Sequence, residues 1–157
     1  MAIALTNAEY HLIFNPNAIL NCDTINNALS HMGQDEKLAL AAPLGIDRNG
    51  EPQFWAKRFS SPIDLTLRLM NISILNRLFK RKLDDYEYGD QSPAQDSFDI
   101  ELASGCFMFC RTAALRAVGG FPKDYFMYFE DFDLSIKLRQ CYKVKHFHDI
   151  RNTHFAW

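Results

Sequence analysis

Two five-residue runs, Leu38-Ala39-Leu40-Ala41-Ala42 and Cys106-Phe107-Met108-Phe109-Cys110, contain no polar side chain. Each is too short for an independent helix, and neither alternates as a half-exposed strand would. Such a run reads as a strand with apolar cover on both faces. Cover on both faces means helices above and below a sheet, which is α/β layering. Tyr10-His11-Leu12-Ile13-Phe14 supplies an earlier strand, ended by the turn Asn15-Pro16-Asn17. Between it and the next strand, Ile25, Leu29 and Met32 fall at helical spacing. Asp23 is the expected N-cap of that helix, Gly33 its stop, and Pro43 the end of the second strand. A strand, a helix and a strand in succession predict a parallel sheet. The chain has 157 residues, enough for a single domain with a sizeable core.

The remaining elements follow from the same signals. Asp47-Arg48-Asn49-Gly50 is a turn, with residues 53–58 extended beyond it. Residues 63–79, rich in Leu, Ile and Met, predict one or two helices. Residues 98–102 form a strand broken by Ser104-Gly105 before the apolar run resumes. A short helix over residues 112–118 stops at Gly119-Gly120. Residues 121–129 make an aromatic loop, and Glu130 or Asp131 opens a helix with Leu134, Leu138 and Cys141 as its apolar stripe. Residues 142–147 give a last strand.

Charge narrows the function classes. The net charge of −2 argues against a general nucleic-acid binder. It hides a sharp split: residues 57–82 carry seven basic side chains against one acid, and residues 83–101 carry seven acids and no base. A basic, apolar segment at 63–82 can lie on an anionic membrane surface. The plainer alternative, favoured by pattern alone, is a core helix whose charged end is solvated and paired with the acidic stretch. No apolar run is long enough to cross a bilayer, and the first residues lack the basic start of a secretory signal. The four cysteines are sparse and unevenly spaced, which fits a reducing cytoplasm better than a disulfide scaffold.

The chemistry points to Glu130, Asp131 and Asp133, three carboxylates at a helix start behind an aromatic loop. Free backbone N–H groups and the helix dipole favour ionised acids there. An ionised carboxylate shielded from water can take a proton from a substrate hydroxyl as a general base. Acids are also favourable at helix starts without any function, and taken singly that reading has the greater weight. A zinc site from Cys106, Cys110, His146, His148 and His154 competes weakly, because the spacings match no common zinc pattern. A cysteine nucleophile is disfavoured further, since no base lies near either thiol in sequence.

The strings Ser104-Gly105-Cys106-Phe107-Met108-Phe109-Cys110-Arg111, Val118-Gly119-Gly120-Phe121 and Tyr128-Phe129-Glu130-Asp131-Phe132-Asp133-Leu134 together resemble the family 2 glycosyltransferases. The likeness is strongest to bacterial rhamnosyltransferases that build O-antigen or cell-wall linkage glycans. Asn15-Pro16-Asn17 is similar to that family's strand-ending Asn-Pro-Asp motif, and Arg58, the basic middle and His154 fall in the expected order. The resemblance covers nearly the whole chain. It implies part of a GT-A fold, a mixed sheet flanked by helices, and inverting transfer of a sugar from a nucleotide-sugar donor such as dTDP-rhamnose. The acceptor would be a polyprenyl-diphosphate-linked glycan at the inner face of the cytoplasmic membrane. Asp131 would be the base. Glu130 and Asp133 would shape the acceptor site, Ser104, Gly105 and Gly120 would shape the substrate loops, and Arg58 would meet substrate.

In the family a divalent ion, Mg²⁺ or Mn²⁺, neutralises the leaving nucleoside diphosphate. The positions that would hold it are Asn17 and His154, and Asn17 offers an uncharged amide where the family has a carboxylate. The resemblance further implies that a nucleotide-binding half would precede Asn15, leaving residues 1–157 as the acceptor-side portion of one domain, with 57–101 as an insertion. A sheet without its first strands would expose an apolar edge, so self-association and weak transfer by the chain alone are expected. The alternative of a different class is a non-catalytic remnant or interaction module that keeps half of the fold.

Overall fold

A computed structural model describes residues 2–47, 50, 52–53, 56–57, 96–121 and 129–154. The expected sites at Arg58, in the segment 63–82 and in the loop 122–128 lie outside these residues. The chain is mixed α/β. Strands β1 (Tyr10–Phe14), β2 (Ala18–Leu20), β3 (Leu38–Ile46), β8 (Phe107–Arg111) and β9 (Lys143–His154) form a sheet in the order β1-β8-β3-β9-β2. Two short strands join it from the side: β4 (Pro52–Gln53) pairs with β3, and β6 (Ser97–Asp99) pairs with β9. A separate two-stranded ribbon joins β5 (Ala56–Lys57) to β7 (Leu102–Ala103).

The sheet is mixed rather than all parallel. β8 runs antiparallel to both β1 and β3, and β3 runs parallel to β9. Hence β1, β3 and β9 share one direction, but β8, from late in the chain, enters between the first two. The strand–helix–strand pattern thus fixed direction and not adjacency. The single strand expected over residues 98–102 is two strands in two sheets. After Asp99 the chain leaves β9, and Leu102 and Ala103 pair instead with β5.

Four helices complete the fold among the described residues: α1 (Ala2–Leu5), α2 (Thr24–Gln34), α3 (Thr112–Ala117) and α4 (Glu130–Arg139). Alternation along β8 sends Met108 and Cys110 to one face and Phe107 and Phe109 to the other. The first face packs against Ala114 and Leu115 of α3 and Leu134 and Leu138 of α4. The second packs against Ala28 and Met32 of α2. The apolar run Cys106–Cys110 is buried because helices cover both of its sides.

Three local expectations need correction. Gly33 lies inside the last turn of α2, which runs to Gln34 with Asp35 as its C-cap, and the helix buries Thr24, Ala28 and Met32 while Leu29 is 41% exposed. The small Ala28 lets the helix approach the sheet, which rotates the larger Leu29 outward. β3 continues through Pro43 to Ile46, because Pro43 lies past the last residue of β3 paired with β8 and beside the bulge in β9, where a missing N–H breaks no ladder bond to β8. In α4 the buried face is Leu134, Ser135 and Leu138, and Cys141 lies exposed beyond the helix end.

β9 is longer than expected and changes partners midway. Pro43 pairs with Phe147, yet the next residue, Leu44, pairs with Arg151, so His148, Asp149 and Ile150 bulge out of register. Before the bulge β9 runs between β3 and β6, and after it between β3 and β2. Helix α2 clasps the bulge. Asn27 donates to the Asp149 carbonyl (2.7 Å), the His31 ring lies 2.8 Å from the Asp149 carboxylate, and the Thr24 hydroxyl donates to the Arg151 carbonyl.

Candidate functional site

The turn after β1 is built by Asn15. Its carbonyl accepts from Ala18 N (3.0 Å), and its side-chain oxygen accepts from Asn17 N (2.9 Å). Its own N–H reaches across to the Cys106 carbonyl at 3.0 Å, tying this turn to the one that precedes β8. In that second turn Ser104 Oγ accepts from Cys106 N at 3.3 Å. β1, β3 and β9 all end on this side of the sheet, and β8 begins there. His154 is the last residue of β9 and lies opposite Ala18 in register. The backbone at Asn17 and at His154 is therefore adjacent.

Helix α4 brings the acids to the same place. Its N-cap, Phe129, holds the left-handed conformation with φ of 66°, unusual for a residue with a side chain, and it packs edge-on against Phe132. Asp131 then sits in the first turn. Its Oδ2 accepts from Gly105 N at 2.7 Å and its Oδ1 from Phe132 N at 2.9 Å. A Cβ on Gly105 would stand 3.5 Å from the Asp131 side chain, so this glycine is where turn and acid meet. Burial pushes the Asp131 carboxyl above its ordinary value; the two backbone donors oppose that shift, and neighbouring Glu130 adds to it.

The other expected residues are distributed as follows. Glu130 is half-buried, and its Oε2 is shut off from solvent with no hydrogen-bond partner among the described residues. Asp133 pairs with Lys137 one turn on, at 2.7 Å. Gly120 has φ of 67° and donates to Leu115 O (2.8 Å), while Gly119 donates to Arg116 O (3.1 Å). This pair of bonds is a Schellman motif, so both glycines terminate α3. Arg111, part of the string that carries the family likeness, points to the far side of the sheet. Its guanidinium donates to the carbonyls of Met32 (2.7 Å), Asp35 and Leu38, securing the end of α2.

Cys106 and Cys110 pack into different clusters on opposite faces of the sheet, so the competing zinc set does not converge. Burial pushes the Cys110 thiol up, away from the thiolate that metal binding or nucleophilic attack needs. His146 and His148 do meet edge to face, 5.0 Å between ring centroids, against Phe98. No group of three or more His, Cys, Asp or Glu gathers as a metal site among the described residues. Two cavities, of about 420 and 300 Å³, flank Asp149 on the α2 side of the sheet. Asp131 does not line either one.

Two contributors escaped the sequence reading. Asn15 is a turn former by sequence, yet it also joins the two turns. Ser135 links α4 to Ala103 from a fully buried position. Its one-turn spacing from Asp131 was visible in sequence, but Ala103 as its distant partner was not. No protein-family model matches the chain, and no curated protein matches it.

Proposed function

We propose that the chain serves inverting sugar transfer from a nucleotide-sugar donor, with dTDP-rhamnose the first donor to test and a polyprenyl-diphosphate-linked glycan the acceptor. One observation carries the reading. Asp131, the Ser104-Gly105 turn and the Asn15–Asn17 turn, far apart in sequence, meet at the carboxyl ends of β1, β3 and β9. That end of an α/β sheet is where ligands ordinarily bind. Three same-direction strands with antiparallel β8 inserted are compatible with the acceptor-side portion of a GT-A fold.

Asp131 would act as base on the acceptor hydroxyl. Each of its oxygens already accepts one backbone N–H, which fixes the carboxylate plane, and each keeps a second lone pair for the incoming proton. Partial burial brings its basicity closer to neutral pH, where a general base works best. Glu130, beside it in the first turn of α4, would meet acceptor hydroxyls. Asp133, Ser104, Gly120 and Arg58 are proposed as further substrate-binding residues. Asn17 and His154 would be the residues to hold a divalent ion. They offer an amide oxygen and an imidazole, and neither brings negative charge to a hard cation, so the pair fits such an ion poorly.

No helix among the described residues is long and apolar enough to cross a membrane. Contact with the inner membrane surface is proposed for the basic segment 63–82. Release of dTDP in the presence of donor and lipid-linked acceptor tests the main reading. Asp131→Asn keeps the side chain's size and removes the base, so transfer is expected to fall by about 10²- to 10⁴-fold with the fold intact. Activity within a few fold of the parent would refute Asp131 as base.

A second reading, an interaction module without catalysis, draws on β1. Among the described residues this strand pairs only with β8 and forms the edge of the sheet, with all five of its residues half-buried. An edge of this kind is suited to receive another strand.

A further inference from the structure

We propose that Ser135 is a positioning residue: its hydroxyl ties the end of β7 to the first turn of α4 and thereby holds the Ser104-Gly105 turn against the Asp131 carboxylate. Its relevance to catalysis rests on the reading of Asp131 as the base, whereas the geometry stands apart from that reading.

Ser135 is fully buried. Its Oγ lies 3.1 Å from Ala103 N and 2.8 Å from the Asp131 carbonyl oxygen. A backbone N–H can only donate, so Oγ accepts from Ala103. The hydroxyl proton is then committed to the Asp131 carbonyl. A serine bonding back to the carbonyl one turn earlier is a local habit and would mean little alone. The bond from Ala103, across 32 residues of sequence, is not supplied by the helix.

Ala103 stands two residues before Gly105, and Gly105 N donates to Asp131 Oδ2. The two links close a ring. It passes from the Asp131 carbonyl through Ser135 to Ala103, along the chain to Gly105, and back to the Asp131 carboxylate. With the Gly105 link alone, the turn could pivot about one hydrogen bond. With both, it cannot slide along α4. β7 is only two residues long and pairs with the equally short β5, so the strand entering the turn is weakly held, whereas the Asn15 N–H secures the far side of the turn at the Cys106 carbonyl.

Hydrogen exchange at the Gly105 amide and a carbon-detected titration of the Asp131 carboxyl read the clasp without any sugar present. Ser135→Ala is expected to keep a cooperative melt while Gly105 exchanges about tenfold faster relative to core amides such as Leu40. The Asp131 titration is expected to move further upward, because a donor that favours the ionised form is loosened. Ser135→Thr retains the hydroxyl and is expected to hold both signals near the parent's. If Ser135→Ala does not fold, Ser135→Cys fills nearly the same space with a weak hydrogen-bonding group and carries the same expectation. Unchanged Gly105 exchange and Asp131 titration in the variant lacking the hydroxyl would overturn the proposal. So would a threonine variant that loses as much as the alanine one. Should the parent transfer no sugar while these shifts occur as described, the functional reading fails and the positioning role holds.

Discussion

At the scale of single residues, two buried titratable groups act on stability with opposite sign. Burial and, second, the neighbouring His148 lower His146 to about 3, and the Pro43 carbonyl offsets only part of this. In the unfolded chain the ring takes its proton below about pH 6.5. Between those values the unfolded state binds more protons, so stability falls with pH by up to about 1.4 kcal/mol per unit. Urea unfolding of His146→Phe across that interval is expected to show a flatter pH dependence than the parent, and equal slopes would contradict a neutral, buried ring. Asp131 runs the other way. Its folded value is raised, so its contribution is fully present below the ordinary aspartate value of about 4 and is lost as pH rises through the folded value. Relative to Asp131→Asn, the parent should therefore gain stability as pH falls from neutral through that raised value. The transfer rate should fall over the same range, since a base must be ionised; an acid limb at the ordinary aspartate value would separate the two effects.

At the scale of elements, helix ends show how much local chemistry decides. The stop of α3 was legible because two adjacent glycines answer a specific need: both take φ near +70 to +80°, and both donate to the last turn. A Cβ at Gly119 would meet nothing within 4 Å, so Gly119→Ala isolates the cost of the left-handed conformer. Chemical denaturation is expected to show a loss of about 1–2 kcal/mol, and no loss would mean that the chain relaxes out of that conformation. The end of α2 was not legible, because Gly33 sits where a stop would be expected while the real one is set from outside. Arg111 of β8 collects the carbonyls of Met32 and Asp35, and Lys143 pairs with Asp35 at 2.6 Å. No local signal reports a capping group that arrives from the far end of the chain. Likewise, the bulge in β9 exists because the strand exchanges β6 for β2, a fact about neighbours and not about residues 148–150 themselves.

At the scale of the whole molecule, the side of β1 that no described strand covers sets the main expectation. Tyr10, Leu12 and Phe14 lean on the α2 side of the core and Ile13 on the other, yet none of the five residues is fully covered. Light scattering coupled to gel filtration is expected to show mass rising with concentration as this edge finds a second copy, and a strict monomer at about 100 µM or above would remove that expectation. The amino-acid order alone determined the layer type, most strand and helix positions, and the cluster of three acids at the start of α4. These follow from periodicity, turn residues and caps, which act over a few bonds. Tertiary structure alone decided that β8 separates β1 from β3, that Asn15 joins two distant turns, and that Ser135 and Gly105 together grip Asp131. Each of these depends on backbone groups meeting across long sequence separations, and a backbone N–H or carbonyl is the same at every residue, so nothing in the letters marks which one will be used.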